Sequence, residues 1–230
     1  AASATVPDAA QLGEGFTDMP YLISSVRLEA AGVPARTRLG WFHGGMNIPH
    51  AFAICSFIDE LAAAAGKDPA NYIDALLAGP RKIDFKAMQV DYPIYGASLE
   101  DYPADVGRMQ SVLQLIMDRA GWGEPLLPRQ GRGIAVHRSY LSYAAAIALV
   151  GVSPEGQLQI LRVDLALDCG TIVNPDRVKA QMESAVMFGI GLTVHSRITF
   201  RQGMPDQSNL DTYRFARAIV LLQMTMRAAP

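Results

Sequence analysis

Two cysteines in 230 residues, Cys55 and Cys169, are too few to staple a disulfide scaffold, and they lack the companion ligands of a zinc or iron–sulfur site. Both read as buried thiols. An excess of one charge is missing too. The 20 Lys and Arg against 22 Asp and Glu are interspersed and leave a net charge of −2, which gives no electrostatic case for nucleic acid or an anionic membrane surface. Apolar runs are short and broken by charge or glycine, none nearing the roughly 18 residues of a spanning helix, so no membrane insertion is expected. The opening AASATVPDAAQ has neither the positive flank nor the apolar core of a secretion signal. The compartment stays open. No HExxH or i, i+4 pair joins His50, His137 and His195, which are expected to be separately hydrogen-bonded. No G-x-S-x-G elbow accompanies Ser139 and Ser142, which read as strand residues, so a hydrolase has only Ser139 near His137 in its favour. No repeat at solenoid spacing occurs.

What is present is a chain half hydrophobic and long enough to bury a substantial core without staples. The spacing predicts strands over residues 21–28 and 35–41, paired as a hairpin. A helix over about 49–65 follows, with Phe52, Phe57, Ile58 and Leu61 on its buried face and Gly66 as its stop. Asp68 before Pro69 caps a second helix to about Leu77. A third, over about 104–120, aligns Val106, Met109, Val112, Leu113 and Ile116 and ends at Gly121. Residues 131–152 read as strands, 153–156 as a turn and 158–167 as the returning strand. The expected fold class is α+β, antiparallel strands packed with several amphipathic helices. The expected organisation is a strand hairpin plus helices over 1–80, a surface excursion over 81–103, and a helix, antiparallel strands and a final helix over 104–230.

The most informative segment is 168–191, DCGTIVNPDRVKAQMESAVMFGIG. Residues 161–167 alternate apolar and polar, as in a half-buried strand ending near Asp168. Asn174 then caps a helix, Pro175 sits where a missing N–H costs nothing, and Asp176 complements the helix dipole. Val178, Met182, Ala185, Val186, Gly189 and Ile190 recur at three- and four-residue steps, which predicts a well-buried helix, and Gly189 and Gly191 suggest close approach. Within it Gln181 calls for a definite partner, because an unpaired buried amide costs about 1–3 kcal/mol. That partner is either a backbone group or a ligand. The loop His43, Gly44, Gly45 before the first helix reads as a turn whose successive N–H groups also suit an anion. Asp59-Glu60 reads as solvated charge on a helix edge.

Residues 168–191 resemble the DCG-x-x-VNP-x-x-V-x-x-QMEG-x-x-x-GL pattern of the molybdopterin-binding subunit of the xanthine dehydrogenase and aldehyde oxidase superfamily. The chain is most similar to the isoquinoline 1-oxidoreductase β-subunit group. The likeness extends through MPYLISSVRLEAAGVPARTRLGW, AFAICSFIDELAAAAGKDP, GWGEPLLPRQGRGIAVHRSY and ITFRQGMPDQSNLDTYR, and several long ordered blocks are far more specific than one short motif. The resemblance implies that Gln181 hydrogen-bonds the pterin and that Gly44 and Gly45 offer backbone contacts to the cofactor. It implies a molybdenum–molybdopterin cofactor in the complete enzyme, iron–sulfur clusters on a partner subunit, and an aldehyde or N-heterocycle as substrate.

This chain departs from the family pattern at Ser184, in place of a glycine, and at His43, in place of an arginine whose bidentate guanidinium it cannot reproduce. The family's catalytic glutamate lies downstream of the last matching block, and Gly123-Glu124-Pro125 matches a noncatalytic turn instead, so no catalytic residue and no protein metal ligand is assigned. From about Arg217 the tail AIVLLQMTMRAAP departs from the strand the family would place there. The reading is an interior part of a molybdenum hydroxylase, inactive alone. Its alternative is a noncatalytic remnant serving as a binding or assembly module.

Overall fold

The computed structural model describes residues 12–32, 43–90, 92, 97–216 and 221–227. Helices α1 (Asn47–Ala64), α2 (Pro69–Leu77) and α3 (Val106–Ala120) precede strands β1 (Gln130–Ser139), β2 (Ser142–Val152) and β3 (Leu158–Asp168). Helix α4 (Pro175–Ile190), a small hairpin of β4 (Phe200–Arg201) and β5 (Met204–Pro205), and strand β6 (Leu221–Arg227) follow. The main sheet has the order β1-β2-β3-β6. Its first three strands are antiparallel, and β6 adds parallel to β3. The α+β expectation holds, with one parallel pairing added. The tail beyond Arg217, expected to depart from the family's strand, supplies one over Leu221–Arg227, because its backbone pairs with β3 from Arg162 to Asp168.

The helix ends follow their local chemistry. Asp68 accepts the Asn71 N–H at 3.0 Å ahead of Pro69, and its other oxygen accepts the Trp122 indole N–H at 2.9 Å. Asp105 caps α3 through the Gly107 and Arg108 N–H groups, and Gly121, at φ +66°, closes it in the left-handed region that favours glycine. Asp68→Ala is expected to cost about 1–2 kcal/mol, since it removes a cap and strands an indole donor. Urea unfolding checks this, and Asp68→Asn, with one acceptor oxygen for the cap and none for the indole, should recover only part of the loss.

The core lies between α3 and the sheet. Val112, Leu113 and Ile116 of α3 meet Ile134, Val136, Ile147 and Ala166, with Ile58, Ile73 and Leu77 of the first two helices joining the same cluster. Each Val, Leu or Ile side chain among them contributes about 1.5–3 kcal/mol by burial. Residues 80–103 carry a smaller cluster of their own in which the buried rings of Phe85 and Tyr92 stack at 4.2 Å.

Four local expectations need correction. Residues 21–28 form no strand and, apart from Tyr21, are mostly exposed; Leu22 N–H bonds the Leu76 carbonyl, and no described ladder partner is present. The hairpin's other half, 35–41, falls outside the described residues. Helix α1 buries Ile58 and Ala62, whereas Phe52, Phe57 and Leu61 are exposed. Its contact with β1 selects a stripe four residues apart; Phe57 lies off it, and Phe52 stands over an open apolar groove opposite Ala135, Ala144 and Leu165. Strand β3 is buried on both faces from Val163 onward, not half-buried. Leu161 is the extra residue of a bulge against β2, and beyond it Asp164 is covered and paired to Arg162 at 2.8 Å. Cys55 and Cys169 are half-buried rather than buried.

Candidate cofactor site

Strand β3 delivers Asp168, its last residue, to the start of the segment the sequence singled out. The carboxylate is 2 % exposed and grips the Arg108 guanidinium with both oxygens, at 2.8 and 2.5 Å. It also accepts the Gly170 N–H at 3.1 Å. The chain turns at Gly170, φ +76°, and Asn174 accepts the Arg177 N–H at 3.0 Å to cap α4, with Pro175 in its first turn. That much follows the local sequence.

The helix itself does not follow expectation. No residue of α4 is fully buried. Met182, Ala185, Val186, Gly189 and Ile190 face Ala146, Ala148, Val163 and Leu165 across an apolar groove of about 470 Å³. The floor is built partly from alanines, whose side chains are too short to meet the helix, so periodicity predicts the inward face but not its contact. Gly189 has nothing within 4 Å of where a side chain would start, and Gly191 has only Ala216 at 3.7 Å, so neither marks a tight approach. Gln181 is exposed, lies outside the groove lining, and makes no hydrogen bond to a described residue. The backbone partner considered for a buried amide is therefore absent among the described residues, because the amide is not buried. After Ile190 the helix widens into a π-helical turn, Gly191–His195, a form often found at functional positions.

Gly44 and Gly45 precede α1 with φ of +83° and +59°, which glycine adopts without strain. The loop reaches α4: the His43 ring meets Phe188 edge-on at 6.4 Å. Glu14 occupies the loop's other side. Its carboxylate accepts the Met46 N–H at 2.7 Å and the Asn47 amide at 3.5 Å, and a side chain at Gly45 would begin 2.3 Å from it. The start of α1 thus already holds an anion, the chain's own.

Asn47 passes this network on, its carbonyl accepting the His137 Nε2–H at 2.9 Å. His50 donates from Nδ1 to the Gly13 carbonyl at 3.0 Å. Burial, reinforced by the charges of His50 and Arg138, pushes the His137 pKa down to about 4. Next to it in the strand, Arg138 is buried with Asp18 at 4.0 Å. Burial pushes the Asp18 carboxyl up, against the pull of the Gly15 N–H and of Arg138. His50 and His137 have separate partners, as expected, whereas His195 is exposed and makes no side-chain hydrogen bond to a described residue, contrary to expectation. No group of three or more His, Cys, Asp or Glu residues suited to a metal occurs among the described residues. Glu124 is exposed, at a turn tied to Arg132 through backbone carbonyls.

Sequence reasoning missed Arg108, Glu14 and Asp18. A strand pattern could have flagged only Arg138, which shares the inward phase of Ile134 and Val136.

Residues 80–220 match the model of the molybdopterin cofactor-binding domain. This chain belongs to that family. The matched span holds both walls of the groove and all of α4. The domain is 27 % identical to a membrane-bound aldehyde dehydrogenase (pyrroloquinoline-quinone) of Gluconacetobacter polyoxogenes, over 84 % of this chain and 24 % of that protein. It is 26 % identical to a nicotinate dehydrogenase subunit of Pseudomonas putida, over 86 % and 16 %. The β-subunit of isoquinoline 1-oxidoreductase from Brevundimonas diminuta is 25 % identical, over 76 % and 20 %. The chain therefore spans about a quarter or less of the length of these relatives. Among solved structures, quinoline 2-oxidoreductase from Pseudomonas putida 86 aligns over 39 % of this chain and 12 % of that one, with a TM-score of 0.36 and 18 % identity. No single helix among the described residues is long and apolar enough to cross a membrane.

Proposed function

We propose that this chain forms one wall of the molybdopterin pocket in the large subunit of a molybdenum hydroxylase, with Gln181 donating or accepting a hydrogen bond at the pterin. The observation that carries this is an exposed amide on α4, without a partner among the described residues, inside the segment that matches a molybdopterin-binding domain. An amide with unspent donor and acceptor suits the alternating donors and acceptors of a pterin edge. Gly44 and Gly45 bring bare backbone beside α4 through the His43–Phe188 contact, although Glu14 already takes the Met46 N–H. When bound, the molybdenum group supplies the redox chemistry. This chain's residues bind and orient it.

The proposed substrates are aldehydes or N-heterocycles, in keeping with the names of the relatives. The proposed partners are the rest of the large subunit and an iron–sulfur subunit. The proton-abstracting glutamate is assigned to the remainder of the large subunit, and the isolated chain is proposed to be inactive. In the assembled enzyme, Gln181→Ala is expected to lower molybdopterin affinity about five- to tenfold, the worth of one hydrogen bond. Cofactor content after dialysis measures it. Unchanged occupancy would remove Gln181 from the site.

A second reading, a noncatalytic module without bound metal, is favoured by the Glu14 carboxylate seated at the start of α1. Stoichiometric molybdenum in the purified 230-residue chain would contradict it.

A further inference from the structure

Helices in a packed domain are usually placed by the side chains they bury. Helix α4 is not, since it has no fully buried residue and an apolar groove of about 470 Å³ lies between its inner face and the sheet. Among the described residues its fastenings are therefore the His43–Phe188 ring contact and those at its two ends. At the far end the Tyr213 hydroxyl donates to Ser196 at 2.6 Å beyond the π-helical turn.

The near end is built differently. Arg108 comes from the first turn of α3, whose cap Asp105 also donates its N–H to the Tyr143 hydroxyl at 2.7 Å. The guanidinium lies 4.6 Å from the centre of the Tyr143 ring and forks onto both oxygens of Asp168. One of those oxygens takes the N–H of Gly170, inside the turn that leads to α4. A planar fork held against a ring fixes orientation as well as distance. An unbroken set of contacts thus runs from the core helix α3 to the turn that aims α4.

We propose that Arg108 and Asp168 are a positioning pair that aims α4, and with it Gln181, from the rigid core. Its purpose rests on the reading of α4 as the pterin-contacting helix, but its geometry does not. The pair is distinct from the cofactor contacts and acts on them through the Asp168–Asn174 turn.

Amide hydrogen exchange on the full chain tests this. The double variant Arg108→Met with Asp168→Asn removes both charges yet keeps an acceptor for Gly170. The α4 amides from Val178 to Ile190 are expected to exchange at least about tenfold faster while those of β2 stay within about twofold of the parent. Arg108→Lys keeps the charge without the fork and should fall between. Unchanged α4 exchange in a folded double variant overturns the proposal. So does a parallel acceleration in α4 and β2, which would make the pair a general stabiliser. If the double variant does not fold, Arg108→Lys decides by the same two readouts. The cofactor reading fails separately, through unaltered molybdopterin content in Gln181→Ala.

Discussion

Replacing Arg138 with methionine is expected to cost about 3–5 kcal/mol of folding stability at pH 7, the usual penalty for stranding a buried charge. The Arg138 and Asp18 side chains are 7 % and 5 % exposed and lie 4.0 Å apart. Arg138 also bonds the Tyr92 hydroxyl and sits 5.2 Å and 5.7 Å from the centres of the Tyr92 and Tyr143 rings. Methionine fills the stem's volume, so the loss reports charge and hydrogen bonding more than a cavity. The sign of its pH dependence is fixed. Burial already pushes the Asp18 carboxyl up, and without Arg138 it rises further and takes a proton. The penalty should therefore be largest at neutral pH and shrink on acidification. Urea unfolding at pH 7 and pH 5 measures both effects, and adding Asp18→Asn should restore much of the stability. A loss below about 1 kcal/mol would show that the pair contributes little.

Acid should weaken the fold through His137. Its pKa is about 4 in the folded chain against an ordinary 6.5, so between those values the unfolded chain binds the proton and the folded chain does not. The stability from keeping His137 neutral is complete above about pH 6.5 and drains away as pH falls toward 4. At ~1.4 kcal/mol for each pH unit the displacement amounts to about 3 kcal/mol, somewhat less for a ring that is not wholly enclosed. Asp18 titrates with the opposite sign and moderates the lower end of the window. His137→Gln retains a donor toward Asn47 but cannot titrate, so its stability should change much less between pH 7 and pH 4.5. Identical slopes for parent and variant would exclude His137 as the source.

The parts of the fold that the sequence predicts well are those set within a few residues. The cap at Asp68, the Gly121 stop, the apolar stripe of α3 and the strand–turn–strand of β1 to β3 each depend on neighbours in the chain. Failures cluster where a second element decides. Phe52 and Phe57 are as apolar as Ile58, and only the placement of α1 against β1 leaves them exposed. The charges of Asp164 and Asp168 imply a solvent face until Arg162 and Arg108 cover them.

The candidate site divides in the same way. The order DCG, VNP, QME carries the family likeness and places Gln181 on a capped helix without any knowledge of its surroundings. Whether that amide is buried depends on how close α4 comes to the sheet, and the alanines on the facing strands keep the groove between them open.

By itself the sequence determined the four helices and strands β1 to β3, the molybdopterin-binding family and the residue to examine, because hydrophobic period, capping and motif order are properties of adjacent residues. Only the tertiary structure decided that Gln181 is exposed, that Glu14 occupies the start of α1, and that Arg108 holds the turn before α4. The last two join residues 32 and 60 positions apart, and such pairings depend on packing that no local pattern encodes.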